Sequence, residues 1–152
     1  MAIRMKSVVT YRTTAECQTH SRTEIPVRDL AVTIDEPIER GGTNLGPSPT
    51  EAALTARIAC TNVIGHKNAA RLGVELGKVT IDADCKFDRR DVLMEAEIDV
   101  PFPEITLTVN CDTRASRDEL ARVGTETAKN CAIAKLFEAA GTILTVNWVK
   151  VG

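Results

Sequence analysis

Apolar and polar residues alternate in short runs over the first third of the chain, the period of half-buried strands. Ser7–Tyr11 and Glu16–His20, separated by a Thr/Ala turn, predict a hairpin. Val27–Asp35 predicts a third strand, ended by Glu36-Pro37. A Gly/Pro/Asn loop runs from Gly41 to Pro49, and the period then changes. Ser48 suits an N-cap, Pro49 the first helical position, and Glu51 completes a capping box. This predicts a helix to about Leu72, with Gly73 as a left-handed C-cap. Its first half, Ala52 to Ile64, is apolar nearly all round, which predicts burial on most faces. Polar residues return at His66, Lys67, Asn68 and Arg71, which predicts a wetter far end.

Alternation resumes over Gly77–Phe87 and Ile105–Cys111. Between them, Asp88–Pro103 fits either a short helix at Val92–Glu97 or a strand, and Pro101 and Pro103 interrupt both. Ser116-Arg117-Asp118-Glu119 is a second capping box, opening a helix to about Lys129. Asn130 is positioned to cap a further short helix through Ala140, which Gly141 ends. Thr142–Lys150 reads as a closing strand. Strands, a long helix, strands, two helices and a strand make an α+β chain, with helices packed on antiparallel sheet.

The length of 152 residues fits one domain spanning 1–152 with its own core. Aromatic residues are few (Tyr11, Phe87, Phe102, Phe137 and Trp148), so the core falls to Val, Ile, Leu and Ala. A helix rich in alanine packs closely, against another helix or a second subunit. The formal net charge is -2 with signs interspersed. That composition is poorly suited to nucleic acid or an anionic membrane surface. No apolar run is long enough to span a bilayer. The first residues lack the apolar core of a secretory signal, so the expected compartment is the cytoplasm.

Five cysteines at wide, irregular spacing, with no C-x-x-C, do not form a disulfide framework. In a reducing compartment they are expected as thiols. Cys17, Cys85 and Cys111 fall in strand patterns and read as packing residues. Neither His20 nor His66 has metal-ligand spacing with a cysteine, so no metal is expected. The glycine loop lacks a phosphate-loop lysine, so no nucleotide cofactor is expected either.

Cys60 and Cys131 remain. Cys60 lies about three turns into its helix, beyond the reach of the helix dipole, and apolar burial raises a thiol's pKa. Local physics therefore favours a small buried hydrophobe unless a cation is supplied. Arg57 is one turn earlier on the same face, but helical side chains lean toward the N-terminus. Loop arginines are the other source. Cys131 would lie in the first turn of the helix capped by Asn130, where free amides stabilise a thiolate. On local grounds it is the more acidic thiol, with a packed junction residue as the equal alternative.

Gly41-Gly42-Thr43-Asn44-Leu45-Gly46-Pro47-Ser48-Pro49-Thr50-Glu51, followed by Ala52 to Cys60, resembles the central motif of the OsmC/Ohr superfamily. These are the osmotically inducible and organic hydroperoxide resistance proteins. Asn130-Cys131-Ala132-Ile133-Ala134-Lys135 resembles the family's second cysteine motif. The long glycine-proline form is closer to the OsmC-like branch. The resemblance implies an intertwined homodimer with long helices at its centre. It implies a thiol peroxidase acting on organic hydroperoxides, with Cys60 peroxidatic and Cys131 resolving through an intramolecular disulfide. A dithiol, lipoyl-type in the best-known members, would reduce that bond. It nominates Arg40 as the activating arginine, with Arg22 and Arg28 behind it, and Glu51 beside it. Arg57 and Ile64 are the expected substrate-facing residues.

The chain departs from the pattern at three places. Thr50 occupies the place of the glutamate that orients the arginine in hydroperoxide reductases, and Glu51 follows with a capping role. Ala132 replaces the proline usual after the second cysteine. Arg57 puts a charge in a segment normally small and apolar, which suggests that it substitutes for the loop arginine or reaches into the site. Two other readings stand beside the peroxidase: a stress-associated dimer binding a small apolar ligand at the subunit interface, and a thiol redox switch.

Overall fold

Local backbone chemistry sets the elements of the computed structural model, which describes residues 7–152. They group into two compact units, one up to Ala53 and one from Leu54 to Gly152.

In the first unit, β1 (Glu16–Cys17), β2 (Thr23–Val27) and β3 (Leu30–Ile34) form an antiparallel sheet in that order. The expected hairpin between Ser7–Tyr11 and Glu16–His20 does not form. Instead β1 turns at residues 18–22 and pairs with β2, Cys17 opposite Thr23. The single strand expected over Val27–Asp35 is divided by a two-residue turn, Arg28-Asp29, with Arg28 at φ 59°. Thr23–Val27 carries Pro26, which hid it from strand patterning. Cys17 is exposed, contrary to its expected packing role.

Asp35 organises the glycine loop that follows. Its buried carboxylate accepts from the Glu36 amide at 2.8 Å, the Thr43 amide at 3.2 Å, the Leu45 amide at 3.1 Å and the Ser21 hydroxyl at 3.1 Å. The Thr43 hydroxyl also donates to it and, with those amides, holds the acid well below the ordinary carboxylate range. The loop passes so close to β3 that a Cβ at Gly46 would lie 2.1 Å from the Thr33 carbonyl.

Helix α1 (Pro49–Leu72) starts and stops where predicted. The Ser48 amide donates to Glu51 at 2.8 Å, and the Glu51 amide donates to Ser48 Oγ at 3.4 Å. At the far end Gly73, at φ 69°, donates to Ala70 O, and Val74 donates to Ala69 O. These two bonds make a Schellman cap. Burial along the helix differs from expectation. Ala56, Ala59 and Val63 are exposed, while Arg57, Thr61, Gly65, Asn68 and Ala69 are buried. The inward stripe is small and polar because it meets a bulky indole and a thiol rather than a flat apolar layer.

In the second unit, β4 (Lys78–Lys86), β5 (Glu104–Asp112) and β6 (Ile143–Val151) form a sheet with β5 central. β4 and β5 are antiparallel, but β5 and β6 are parallel, so the sheet is mixed rather than antiparallel throughout. Helices α2 (Arg117–Asn130) and α3 (Ala132–Ala139) lie between β5 and β6 in the chain. This crossover returns the chain to the end where β5 began. Residues 88–103 form turns, with neither the short helix nor the strand considered there.

β5 supplies Ile105, Leu107, Val109 and Cys111 to one face, each 1% exposed or less. Val109 and Cys111 pack with Leu120 and Val123 of α2, Ala69 of α1, and Val74 and Leu76. Fully burying such aliphatic side chains contributes about 1.5–3 kcal/mol apiece. Trp148 of β6 packs on this core between two glycines. A Cβ at Gly65 of α1 would come within 2.6 Å of its ring, as would one at Gly124 of α2. The two absent side chains let α1 and α2 close on the indole. Among the described residues no helix is long and apolar enough to cross a membrane.

Candidate active site

The two singled-out cysteines, 71 residues apart, meet in the second unit. The α2–α3 junction makes this possible. Asn130 is the last residue of α2, and Cys131 itself, at φ −79° and ψ 103°, ends one helix and caps the next. The expected cap at Asn130 is displaced by one residue, because the chain bends at the cysteine. No backbone bond is lost there: the Cys131 amide donates to Thr127 O, and Lys135 donates to Cys131 O. The bend turns the thiol inward, where it donates to Cys60 Sγ across 3.0 Å.

The sulfurs differ in setting. Cys131 is 1% exposed, whereas Cys60 is only half-buried. Burial pushes the Cys131 thiol up, and its hydrogen bond to Cys60 adds to the rise. The Ala134 amide and the Arg57 guanidinium oppose this without overcoming it. The local expectation that Cys131 is the more acidic thiol through its helix start is therefore corrected: desolvation outweighs the amide. Cys85 and Cys111 are raised by burial as well.

Arg57 is 3% exposed. Its side chain runs forward along α1, against the usual backward lean, and Nη1 donates to Thr61 Oγ1. The same nitrogen lies 3.7 Å from Cys131 Sγ. Thr61, 1% exposed, donates its own hydroxyl to Arg57 O at 3.0 Å. Nε has no hydrogen-bond partner. Among the described residues no carboxylate forms an ion pair with this guanidinium, although Glu138 shares its cavity, and Cys131 is the ionisable group it contacts. Thr61 was not foreseen from sequence. A threonine one turn after a charged residue in an apolar helix is the signal that would have found it.

Arg57, Thr61, Thr127, Cys131, Val146 and Trp148 line a cavity of about 500 Å³. Cys60 is not part of its wall, and neither is Ile64. The loop arginine Arg40 and Glu51 belong to the first unit. Arg40 is half-exposed and pairs with Glu36 at 2.7 Å. Glu51 is held below its ordinary range by the Ser48 amide and hydroxyl, with a smaller contribution from Arg40. Arg22 donates to Gln18 and Thr43 in the same unit.

Known structures share this arrangement of elements. An OsmC-like protein from Mycoplasma pneumoniae superposes with a TM-score of 0.78 at 18% identity, over 95% of this chain and 99% of that one. An organic hydroperoxide resistance protein from Legionella pneumophila gives 0.65 at 15% identity, over 95% and 100%. The organic hydroperoxide resistance protein OhrB of Bacillus subtilis gives 0.62 at 16%, over 93% and 98%. At such identities the likeness speaks for the fold. No curated protein matches the sequence. The sequence profile of OsmC-like proteins matches residues 42–147, a span that takes in the glycine loop from Gly42 on, α1, Cys60 and Cys131. On that match the chain belongs to the OsmC-like family of the OsmC/Ohr superfamily.

Proposed function

We propose that the protein is a cysteine-based peroxidase that reduces organic hydroperoxides with electrons from a dithiol. The observation that carries this reading is the contact of Cys60 and Cys131 at 3.0 Å, with a buried cation beside them. A disulfide of about 2.05 Å requires the sulfurs to approach by only about 1 Å more.

In this reading Cys60 is the attacker, being the more exposed sulfur and the acceptor of the Cys131 hydrogen bond. Its thiolate displaces alkoxide from the terminal peroxide oxygen, and the alcohol leaves after taking a proton. Cys60 becomes a sulfenic acid. Cys131 then attacks that sulfur, water departs, and the two cysteines are joined. A dithiol, lipoyl-type by family likeness, restores both thiols and is itself oxidised to a disulfide. Arg57 serves as the cation of the thiol pair, while Arg40 is engaged by Glu36. The exposed Ala56, Ala59 and Val63 on α1 support pairing of two copies as a homodimer. Sedimentation at micromolar concentration tests that pairing; a monomeric mass would remove it.

The test of the reaction is titration of the reduced protein with cumene hydroperoxide, followed by peptide mass spectrometry. One equivalent should yield a Cys60–Cys131 disulfide. Cys60→Ser should abolish turnover with dithiothreitol, and Cys131→Ser should complete one oxidation and then stall. A protein that consumes no peroxide yet binds an apolar probe in its 500 Å³ cavity would instead be a ligand carrier.

A further inference from the structure

We propose that Arg57 acts mainly on the return half of the thiol cycle, stabilising the Cys131 sulfur as the group that leaves when the disulfide is reduced. This rests on the peroxidase reading above, and it divides the labour between the two sulfurs.

The guanidinium contacts Cys131, the deeper sulfur, and makes no hydrogen bond to Cys60. A cation meant for attack on peroxide belongs at the attacking sulfur. A cation meant for release belongs at the sulfur that takes the electron pair when the bond breaks. Reductant meets the half-buried Cys60 before the enclosed Cys131. Its thiolate attacks Cys60 Sγ and a mixed disulfide forms. The Cys60–Cys131 bond breaks, and its electron pair stays on Cys131. The second thiol of the reductant then closes on the first, releasing Cys60 as thiolate, and both cysteines regain protons.

Thiolates of lower pKa leave faster. Burial makes Cys131 a poor leaving group, and the guanidinium is the one positively charged side chain in contact with its sulfur among the described residues. Thr61 holds the guanidinium in place from the next turn of α1. Among the described residues Arg57 forms no ion pair with a carboxylate, so its charge is not tied up in a direct salt bridge. The Ala134 amide, in the first turn of α3, assists at the same sulfur.

The experiment forms the disulfide with diamide rather than peroxide, so it does not depend on peroxidase activity. Reduction by dithiothreitol is then followed by acid quench and maleimide mass tagging. Arg57→Gln should slow reduction by about tenfold or more, the scale of one charge-assisted hydrogen bond. Arg57→Lys should recover part of the rate. Thr61→Val, which keeps shape and loosens the tether, should fall between wild type and Arg57→Gln. It also serves if the glutamine variant does not fold. A positional readout separates chemistry from structure: glutathione, a monothiol, should be trapped on Cys60 in the wild type. In Arg57→Gln it should be divided between both cysteines. Wild-type reduction rates in Arg57→Gln and Thr61→Val, or glutathione trapped on Cys131 in the wild type, would overturn the assignment. If cumene hydroperoxide is not consumed but these rates behave as stated, the assignment survives the loss of the peroxidase reading. If diamide forms no Cys60–Cys131 bond, both fall.

Discussion

Cys131 Sγ, at the α2–α3 junction, donates a hydrogen bond to Cys60 Sγ, 3.0 Å away on α1. One thiol of the pair is thereby held neutral and enclosed, and the other is left half-exposed as the acceptor. Cysteine-selective carbon-13 labelling should show this directly. The Cys131 Cβ resonance should titrate above the ordinary cysteine range, because burial and the bond to Cys60 both favour its neutral form. A Cys131 titration below the ordinary cysteine range would contradict the geometry.

Buried thiols also make alkaline pH destabilising. Cys111 on β5 is raised by burial, as is Cys131. An unfolded cysteine ionises near pH 8.5. Above that pH the unfolded chain has shed protons that the folded chain retains, so folding stability falls as pH rises toward the folded values. Below about pH 8 these groups should make no difference. Urea melts between pH 7 and 10 should show the decline, and Cys111→Val should make it shallower. A slope unchanged by that substitution would place the effect elsewhere.

Acid should act on the first unit through Asp35. Its depressed carboxyl supports the glycine loop fully above the unfolded value near 3.9, and the support is lost as pH falls through the folded value. Asp35→Asn should lower the melting temperature at neutral pH and remove that part of the acid dependence. The Thr43 and Leu45 amides, which donate to the carboxylate, should then exchange faster with deuterium. Unchanged protection at both amides would count against the loop's dependence on Asp35.

The indole between α1 and α2 leaves no room for a methyl group. Gly65→Ala and Gly124→Ala each place a Cβ 2.6 Å from Trp148 and should cost about 1–3 kcal/mol by overpacking. Trp148→Phe should restore part of the loss in the Gly124 variant by removing the pyrrole edge. Equal losses with and without that second change would show that the ring is not the obstacle.

Sequence made α1 legible because its ends are local. Ser48, Glu51 and Gly73 fix it by contacts within a few residues. The same holds for α2, where Ser116 and Glu119 exchange bonds at 3.2 and 2.7 Å. The pairing of β5 with β6 was hidden, since alternation reports a buried face but not a partner or its direction. The inward stripe of α1 was hidden for a different reason. Arg57, Thr61, Gly65 and Asn68 are polar or small, and hydropathy assigns such positions to solvent. The cysteine motifs marked Cys60 and Cys131 as a pair. Local helix rules then misjudged Cys131, because its titration is governed by burial in the fold and by the bond to Cys60 on α1. The destination of Arg57 was beyond those rules too, since its partner lies on a segment 74 residues away.

Trp148 is the only tryptophan in the chain, and it shares a cavity wall with Cys131 and Arg57. The packing that excludes a methyl group at Gly65 and Gly124 therefore also fixes a fluorophore beside the thiol chemistry. Its emission carries no background from another indole. Joining or parting the two sulfurs should change its brightness, so the protein's oxidation state can be followed by light alone, without a label or a coupled assay.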